Sequence, residues 1–133
     1  MAREAKEDEA NGRCFEHVIT VALDAEGSGL ESTGAVLYVV HGVPRLTRPP
    51  FARYWHAWLE LELPCGHVEV LDTQFLHERR VMRSTRDTYY AAGRIEPGRC
   101  VRYEAKRALT LVGLYRHYGP WHEDEGTADD PVL

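Results

Sequence analysis

The sequence predicts one α+β domain in which helices pack on an antiparallel sheet. Three observations predict it. Residues 13–24 place apolar side chains at helical spacing, residues 54–63 alternate between apolar and polar as a strand does, and residues 103–116 return to helical spacing. With 133 residues, 44% of them hydrophobic and 28% charged, the chain fits a single globular domain with a core of its own.

The first predicted helix runs from Arg13 to Asp24. One of its faces is apolar and is formed by Phe15, Val18, Ile19, Ala22 and Leu23. Asn11 and Gly12 stand just ahead of this pattern and are the residue types of a turn and a helix N-cap. We therefore expect the helix to begin there, which puts Cys14 in its first turn.

The strands follow. Ala35 to Val43 is rich in β-branched and aromatic residues and predicts a buried strand. Tyr54 to Leu63 alternates, Pro64-Cys65-Gly66 has the composition of a tight turn, and His67 to Asp72 is the returning strand. These segments predict a hairpin within an antiparallel sheet.

The remainder of the chain is predicted more coarsely. We expect a short irregular or strand-like stretch near Val81, a helical turn over Arg86 to Ala92 and a turn at Pro97-Gly98. A second helix is predicted from Tyr103 to Arg116, and Gly119-Pro120 is expected to end it.

The charge is uneven along the chain. Residues 1–10 sum to −2, residues 121–133 carry five acidic side chains without Lys or Arg, and the part between them sums to +2. We therefore expect a flexible N-terminal tail over residues 1–10, one domain over residues 11–121, and an acidic C-terminal tail over residues 122–133. The chain has no basic stripe of the kind that nucleic-acid binding requires, so nucleic acid is not an expected partner.

The cellular location is predicted from the lengths and positions of the apolar segments. The longest apolar run, Ala35 to Val40, is far too short to cross a bilayer, and the N-terminus has no apolar signal-peptide core. We therefore expect a cytoplasmic protein without a membrane partner. The three cysteines, Cys14, Cys65 and Cys100, are odd in number and widely spaced, which argues against a disulfide framework and leaves a reactive thiol open.

Cys14, His56 and Asp72 form a candidate catalytic set. Acyl transfer by a thiol needs a thiolate, a base, and a group that holds the base in the right tautomer. In the first turn of a helix, the free backbone N–H groups stabilise a thiolate and can hold an oxyanion. His56 lies on a strand whose opposite face is apolar, and Asp72 ends the neighbouring strand of the hairpin. We expect the Asp72 carboxylate to accept the second ring N–H of His56.

Three short segments carry a resemblance to a known family. They are Gly12-Arg-Cys14-Phe-Glu-His at the helix start, His56-Ala-Trp58-Leu-Glu60 on a strand, and Val70-Leu-Asp72-Thr73 on the next strand. Over about residues 11–75 the chain resembles the papain-like superfamily, and its transglutaminase-core branch in particular. That family places its nucleophile at a helix N-terminus, its base in an HAW-x-E strand and its acid in a following D-x-T strand.

The resemblance implies a nucleophile-bearing N-terminal helix packed on an antiparallel sheet that carries base and acid. It implies that Cys14 attacks a carbonyl, that His56 moves the proton and that Asp72 orients His56, with no cofactor. The expected substrate is a peptide, a protein or a small amide. Water as acceptor makes a peptidase, amidase or deamidase, which is the outcome we expect, and an amine makes a transglutaminase-like transferase. The backbone N–H of Cys14 is expected to help hold the oxyanion.

Other residues have candidate roles near this set. Asn11, Trp55 and Trp58 are expected to line a substrate cleft, and Glu60 is expected to form a salt bridge on the sheet face without a chemical role. Six arginines between residues 79 and 99 form the densest basic feature of the chain. They are either an ordinary solvated face or a surface that receives an acidic peptide or nucleotide. The six are Arg79, Arg80, Arg83, Arg86, Arg94 and Arg99.

Two other functions remain open from the sequence. One is a non-catalytic domain of the same fold that binds a peptide or protein in the cleft. The other is a zinc-binding domain in which Cys14 and His17 combine with Cys65 and His67. The mixed spacing of these four residues is poor for a structural zinc site.

Overall fold

The computed structural model of the protein describes residues 2–46, 49–73 and 81–121, except for the side chains of residues 2–12 and 31. The described helices and strands are α1 (Ala2–Gly27), β1 (Val36–Gly42), β2 (His56–Glu62), β3 (Val68–Asp72), β4 (Met82–Thr85), α2 (Arg86–Gly93), β5 (Val101–Glu104) and α3 (Ala105–Tyr115). Short 3₁₀ turns lie at Leu30–Thr33 and Pro97–Arg99. None of the helices in these ranges combines the length and apolarity needed to span a bilayer.

The strands form one antiparallel sheet in the order β4-β3-β2-β1-β5. The predicted hairpin is confirmed: β2 and β3 pair with Leu59 opposite Leu71, and the turn between them lies at Pro64 to Gly66. The helices pack on this sheet, so the predicted α+β class with helices on an antiparallel sheet is confirmed.

Helices α1 and α3 cover one face of the sheet, because their apolar stripes and the inward residues of β1 and β2 form a single core. Its buried members include Phe15, Val18, Ile19, Val39, Ala57, Leu59, Ala108, Leu111 and Trp121. The opposite face is covered by α2 and the segment after it, through a smaller core of Val40, Trp58, Val70 and Ile95, against which Tyr89 and Tyr90 pack. Both faces of β2 are therefore buried, although its sequence alternates like that of a strand with one wet face.

Two predicted boundaries are wrong. The first helix begins at Ala2 and not near Arg13, so Asn11 and Gly12 lie inside it and are neither a turn nor an N-cap. The residues before them are mostly Ala, Glu, Lys and Arg, which are strong helix formers, and a charged stretch of this composition continues a helix as readily as it forms a tail. The predicted N-terminal tail over residues 1–10 therefore overlaps α1, and residues 122–133 lie outside the described residues.

The second helix also begins later than predicted. Val101–Glu104 is a short edge strand that pairs with β1, with Tyr103 opposite Val39, and only then does α3 begin. A four-residue strand is too short for its alternation to stand out beside a strong helical pattern. Helix α3 ends at Tyr115, one residue before the predicted end, and Arg116 in a left-handed conformation caps it instead of Gly119-Pro120. The strand near Val81 and the helix over Arg86–Gly93 are confirmed.

Candidate active site

His56 is the first residue of β2, at the end of the sheet, and its ring is on the same side as those of Trp58 and Glu60. The register that pairs Leu59 with Leu71 puts Asp72 diagonally across from His56 on the neighbouring strand. The side chains meet there: Nε2 of His56 donates to Oδ2 of Asp72 over 3.1 Å. Both are buried, with 3% and 7% of their surface exposed.

The Asp72 carboxylate has a second donor that the sequence did not indicate. The Tyr89 hydroxyl donates to Oδ2 of Asp72 over 2.5 Å. Tyr89 lies on α2, whose start is fixed by the Thr85 side chain accepting a hydrogen bond from the Thr88 N–H. The pKa of Tyr89 is raised by burial and by the Asp72 charge, which keeps its hydroxyl a donor.

Cys14 lies on α1 with no exposed surface. Its sulfur is close enough to His56 to affect the ring. Burial lowers the pKa of His56, but the Asp72 hydrogen bond, the Cys14 hydrogen bond and the charges of both groups outweigh it and raise the pKa to about 10. Nε2 lies 3.1 Å from Oδ2 of Asp72, and the buried Nδ1 makes no hydrogen bond of regular geometry within the described residues. The His56 ring thus interacts with the Asp72 carboxylate and with the Cys14 sulfur, and these three groups form the candidate row.

The position of Cys14 within its helix corrects one part of the predicted chemistry. Because α1 begins at Ala2, the helix N-terminus is about 18 Å from Cys14 along the axis. The dipole of a helix acts within its first turn, so it does not stabilise a thiolate at Cys14. The N–H of an interior residue bonds to the carbonyl four residues earlier, so the Cys14 amide is not available to an oxyanion in this conformation. The predicted contribution of the α1 terminus and of the Cys14 amide to this chemistry is therefore wrong for this conformation.

His17 lies one helical turn after Cys14 and links α1 to the acid strand. Its Nδ1 donates to the backbone carbonyl of Thr73 over 3.2 Å. This bond joins the turn of α1 that follows the thiol to the residue next to Asp72.

The zinc alternative is not supported by these positions. Cys65 is exposed at the hairpin turn, whereas Cys14 lies on α1 with its side chain fully buried. Within the part of the chain that the structure describes, no three His, Cys, Asp or Glu side chains are grouped to hold a metal ion. The structure therefore does not group Cys14, His17, Cys65 and His67 into a metal site.

The predicted cleft residues fare differently from one another. Trp58 has no exposed surface and donates its Nε1–H to Oε2 of Glu60 over 2.9 Å, so it is a core residue in this conformation, and its cleft role stays a prediction. Trp55 is partly buried and packs against the core on the α1 side. The backbone of Asn11 lies within α1, and its side chain is outside the described residues.

Glu60 is fully buried at the centre of a second polar cluster. Besides the Trp58 bond, its Oε2 accepts from the Tyr90 hydroxyl over 2.5 Å, and its Oε1 lies 3.1 Å from Nε of Arg102 in an ion pair. The expected salt bridge is confirmed, with Arg102 as the partner. Arg102 also lies over the Tyr38 ring at 4.1 Å. This arrangement fixes β2, α2 and β5 to one another.

Tyr54 is a second aromatic residue that the sequence did not single out. Its ring centroid lies 6.0 Å from that of His56, two residues further along the chain. The pKa of Tyr54 is raised by burial, then by the charges of Asp72 and Cys14. The sequence indicates this proximity through spacing: Tyr54 is two residues before His56, and residues two apart in an extended chain point to the same side.

The basic feature is spread over several elements. Arg83 pairs with Glu69 over 2.7 Å, and Arg86, Arg94 and Arg102 line a groove of about 580 Å³ beside α2. Arg79 and Arg80 lie outside the described residues.

No family model, curated protein or solved structure matches this chain.

Proposed function

We propose that the protein is a cysteine-dependent acyl-transfer enzyme of the papain-like, transglutaminase-core kind, with hydrolysis as its reaction. The observation that carries the proposal is the row in which His56 lies between the Cys14 sulfur and Oδ2 of Asp72. A helix that carries the thiol and an antiparallel sheet that carries base and acid also support it. The substrate is a peptide, a protein or a small amide.

The pKa of His56 supports a protonated imidazole at neutral pH, and a protonated imidazole beside a sulfur stabilises the thiolate. The Cys14 thiolate attacks the carbonyl carbon, and the electron pair of the C=O bond moves onto the oxygen. The carbonyl re-forms as the C–N bond breaks, and His56 gives its proton to the departing amine. The product is a thioester on Cys14.

In the second half of the reaction, neutral His56 takes a proton from water while the water oxygen attacks the thioester carbon. The carbonyl re-forms, the acid leaves, and Cys14 returns as a thiolate beside protonated His56. Asp72 accepts the Nε2–H throughout, which holds the ring in one tautomer and stabilises its charge. An amine in place of water gives a transferase.

The complete burial of Cys14 sets a condition on this reaction. A substrate carbonyl reaches the sulfur only after a neighbouring group moves, so the observed rate includes the fraction of molecules that are open. The labelling rate of Cys14 is therefore compared between variants of the protein and not with the labelling rate of the exposed Cys65.

The test uses a chain with Cys65→Ser and Cys100→Ser, which leaves Cys14 as the single thiol. The chain is mixed with p-nitrophenyl acetate, and released nitrophenolate and acetylated Cys14 are measured together. We expect acetylation of Cys14 followed by hydrolysis, and a loss of about 10³-fold or more in the acetylation rate for Asp72→Asn. Equal rates in the parent and in Asp72→Asn would contradict the proposal.

The second candidate is a non-catalytic peptide- or protein-binding domain, which the complete burial of the Cys14 sulfur favours. In that case Cys14 is not acetylated faster in the parent than in the unfolded chain. For the location we propose the cytoplasm, because no disulfide joins Cys14, Cys65 or Cys100, as is usual in a reducing compartment.

A further inference from the structure

The proposed reaction requires a donor for the oxyanion, and α1 does not supply one at Cys14. When a thiolate adds to a carbonyl, the oxygen gains a full negative charge that a fixed N–H or O–H must stabilise. The Cys14 amide is an interior helix amide and is already bonded. A donor close to both Cys14 and His56 is therefore needed from another element.

The three tyrosines around the site differ in how their hydroxyl groups are used. Tyr89 donates to Asp72 and Tyr90 donates to Glu60, each over 2.5 Å. The Tyr54 hydroxyl makes no hydrogen bond within the described residues, and its side chain is half-buried. Of these three hydroxyl groups, that of Tyr54 is the one not already donating to a carboxylate.

Tyr54 is also held in place. Its backbone N–H donates to the Pro44 carbonyl over 3.1 Å, and its ring lies beside the His56 ring at 6.0 Å, tilted by 54°. Burial, and then the charges of Asp72 and Cys14, raise the pKa of Tyr54, so its hydroxyl stays protonated at neutral pH and lies within range of both charges. A neutral O–H near the thiol is a donor for charge that develops on the substrate.

We propose that the Tyr54 hydroxyl donates the hydrogen bond that stabilises the oxyanion when Cys14 adds to a carbonyl. This inference rests on the proposed function. The hydroxyl gives up no proton: it donates a hydrogen bond while the C=O electron pair resides on the substrate oxygen, and that bond weakens when the carbonyl re-forms. Tyr54 is thus a catalytic residue in addition to Cys14, His56 and Asp72.

The test compares two reactions of Cys14 in the Cys65→Ser, Cys100→Ser chain. Acetylation by p-nitrophenyl acetate passes through an oxyanion, whereas alkylation by iodoacetamide displaces iodide at carbon and forms none. Alkylation therefore reports the reactivity and accessibility of the sulfur alone. We expect Tyr54→Phe to lower the acetylation rate about 100-fold and to leave the alkylation rate unchanged.

Tyr118→Phe, which removes a hydroxyl from an exposed residue, is the matched control and leaves both rates unchanged. Equal acetylation rates in the parent and in Tyr54→Phe overturn the oxyanion role while the proposed function stands. An equal fall of both rates also overturns it, because the loss is then in the thiol. If Cys14 of the parent is not acetylated at all, the proposed function fails, and this inference fails with it.

Discussion

Two buried carboxylates, Asp72 and Glu60, lie on the same face of the sheet. Each accepts a 2.5 Å hydrogen bond from one of two consecutive tyrosines on α2. The Trp58 ring lies between those tyrosines, 5.4 Å from Tyr89 and 5.9 Å from Tyr90, and its Nε1–H donates to Glu60. The two carboxylates therefore share a buried position and one tyrosine donor.

The remaining partner separates them. Glu60 forms an ion pair with Arg102, and a guanidinium is not a group that carries protons to and from a reaction. Asp72 pairs with His56, which exchanges a proton and has a thiol on its other side. The same framework thus yields a structural cluster with arginine and a candidate chemical site with histidine and cysteine.

The largest stability effect is expected at the Glu60 cluster. Glu60→Ala leaves the buried Trp58 Nε1–H and the Tyr90 hydroxyl without their acceptor, and we expect the free energy of unfolding to fall by about 3–5 kcal/mol. Glu60→Gln keeps an acceptor oxygen and loses less. Guanidinium denaturation followed by tryptophan fluorescence measures both variants. A Glu60→Ala protein as stable as the parent would show that the cluster does not hold the elements together.

A smaller and sharper comparison uses the two tyrosines. Tyr89→Phe and Tyr90→Phe each remove one hydrogen bond to a carboxylate, and each is expected to lower the unfolding free energy by about 1.5–3 kcal/mol. Only Tyr89→Phe is expected to change Cys14 acetylation and its pH dependence, since only Tyr89 contacts the acid beside His56. If the two variants have the same acetylation rate and pH profile, Tyr89 has no positioning role.

The strands and the pairing of base and acid were predictable because they depend on local patterns. Alternation over residues 54–63 and the turn at Pro64-Cys65-Gly66 set a register that brings His56 and Asp72 together. The HAW string marked the base strand for the same reason, since its residues are adjacent in sequence. These features need no knowledge of how distant elements pack.

The features that were missed depend on packing between distant elements. The Tyr89 contact exists because α2 covers the face of β3, and nothing in the sequence of α2 indicates which sheet face it covers. The start of α1 was misplaced because Asn11 and Gly12 resemble a helix boundary, although strong helix formers precede them. The effect of a helix end on Cys14 was therefore predicted at the wrong place, since Cys14 lies inside α1 and the titratable group beside it is the His56 ring.

The titration of His56 tests the coupling within the row most directly. Its pKa is raised from 6.5 to about 10, so the charged ring stabilises the fold fully below pH 6.5, and this contribution is lost as the pH rises through about 10. The measurement is a ¹⁵N NMR titration of the imidazole in the parent and in Cys14→Ser. We predict a ring that is protonated at pH 7 and titrates near pH 10 in the parent, and a lower pKa in Cys14→Ser because the charge on sulfur is removed. A parent ring that titrates at or below 6.5 and does not respond to Cys14→Ser would contradict the account.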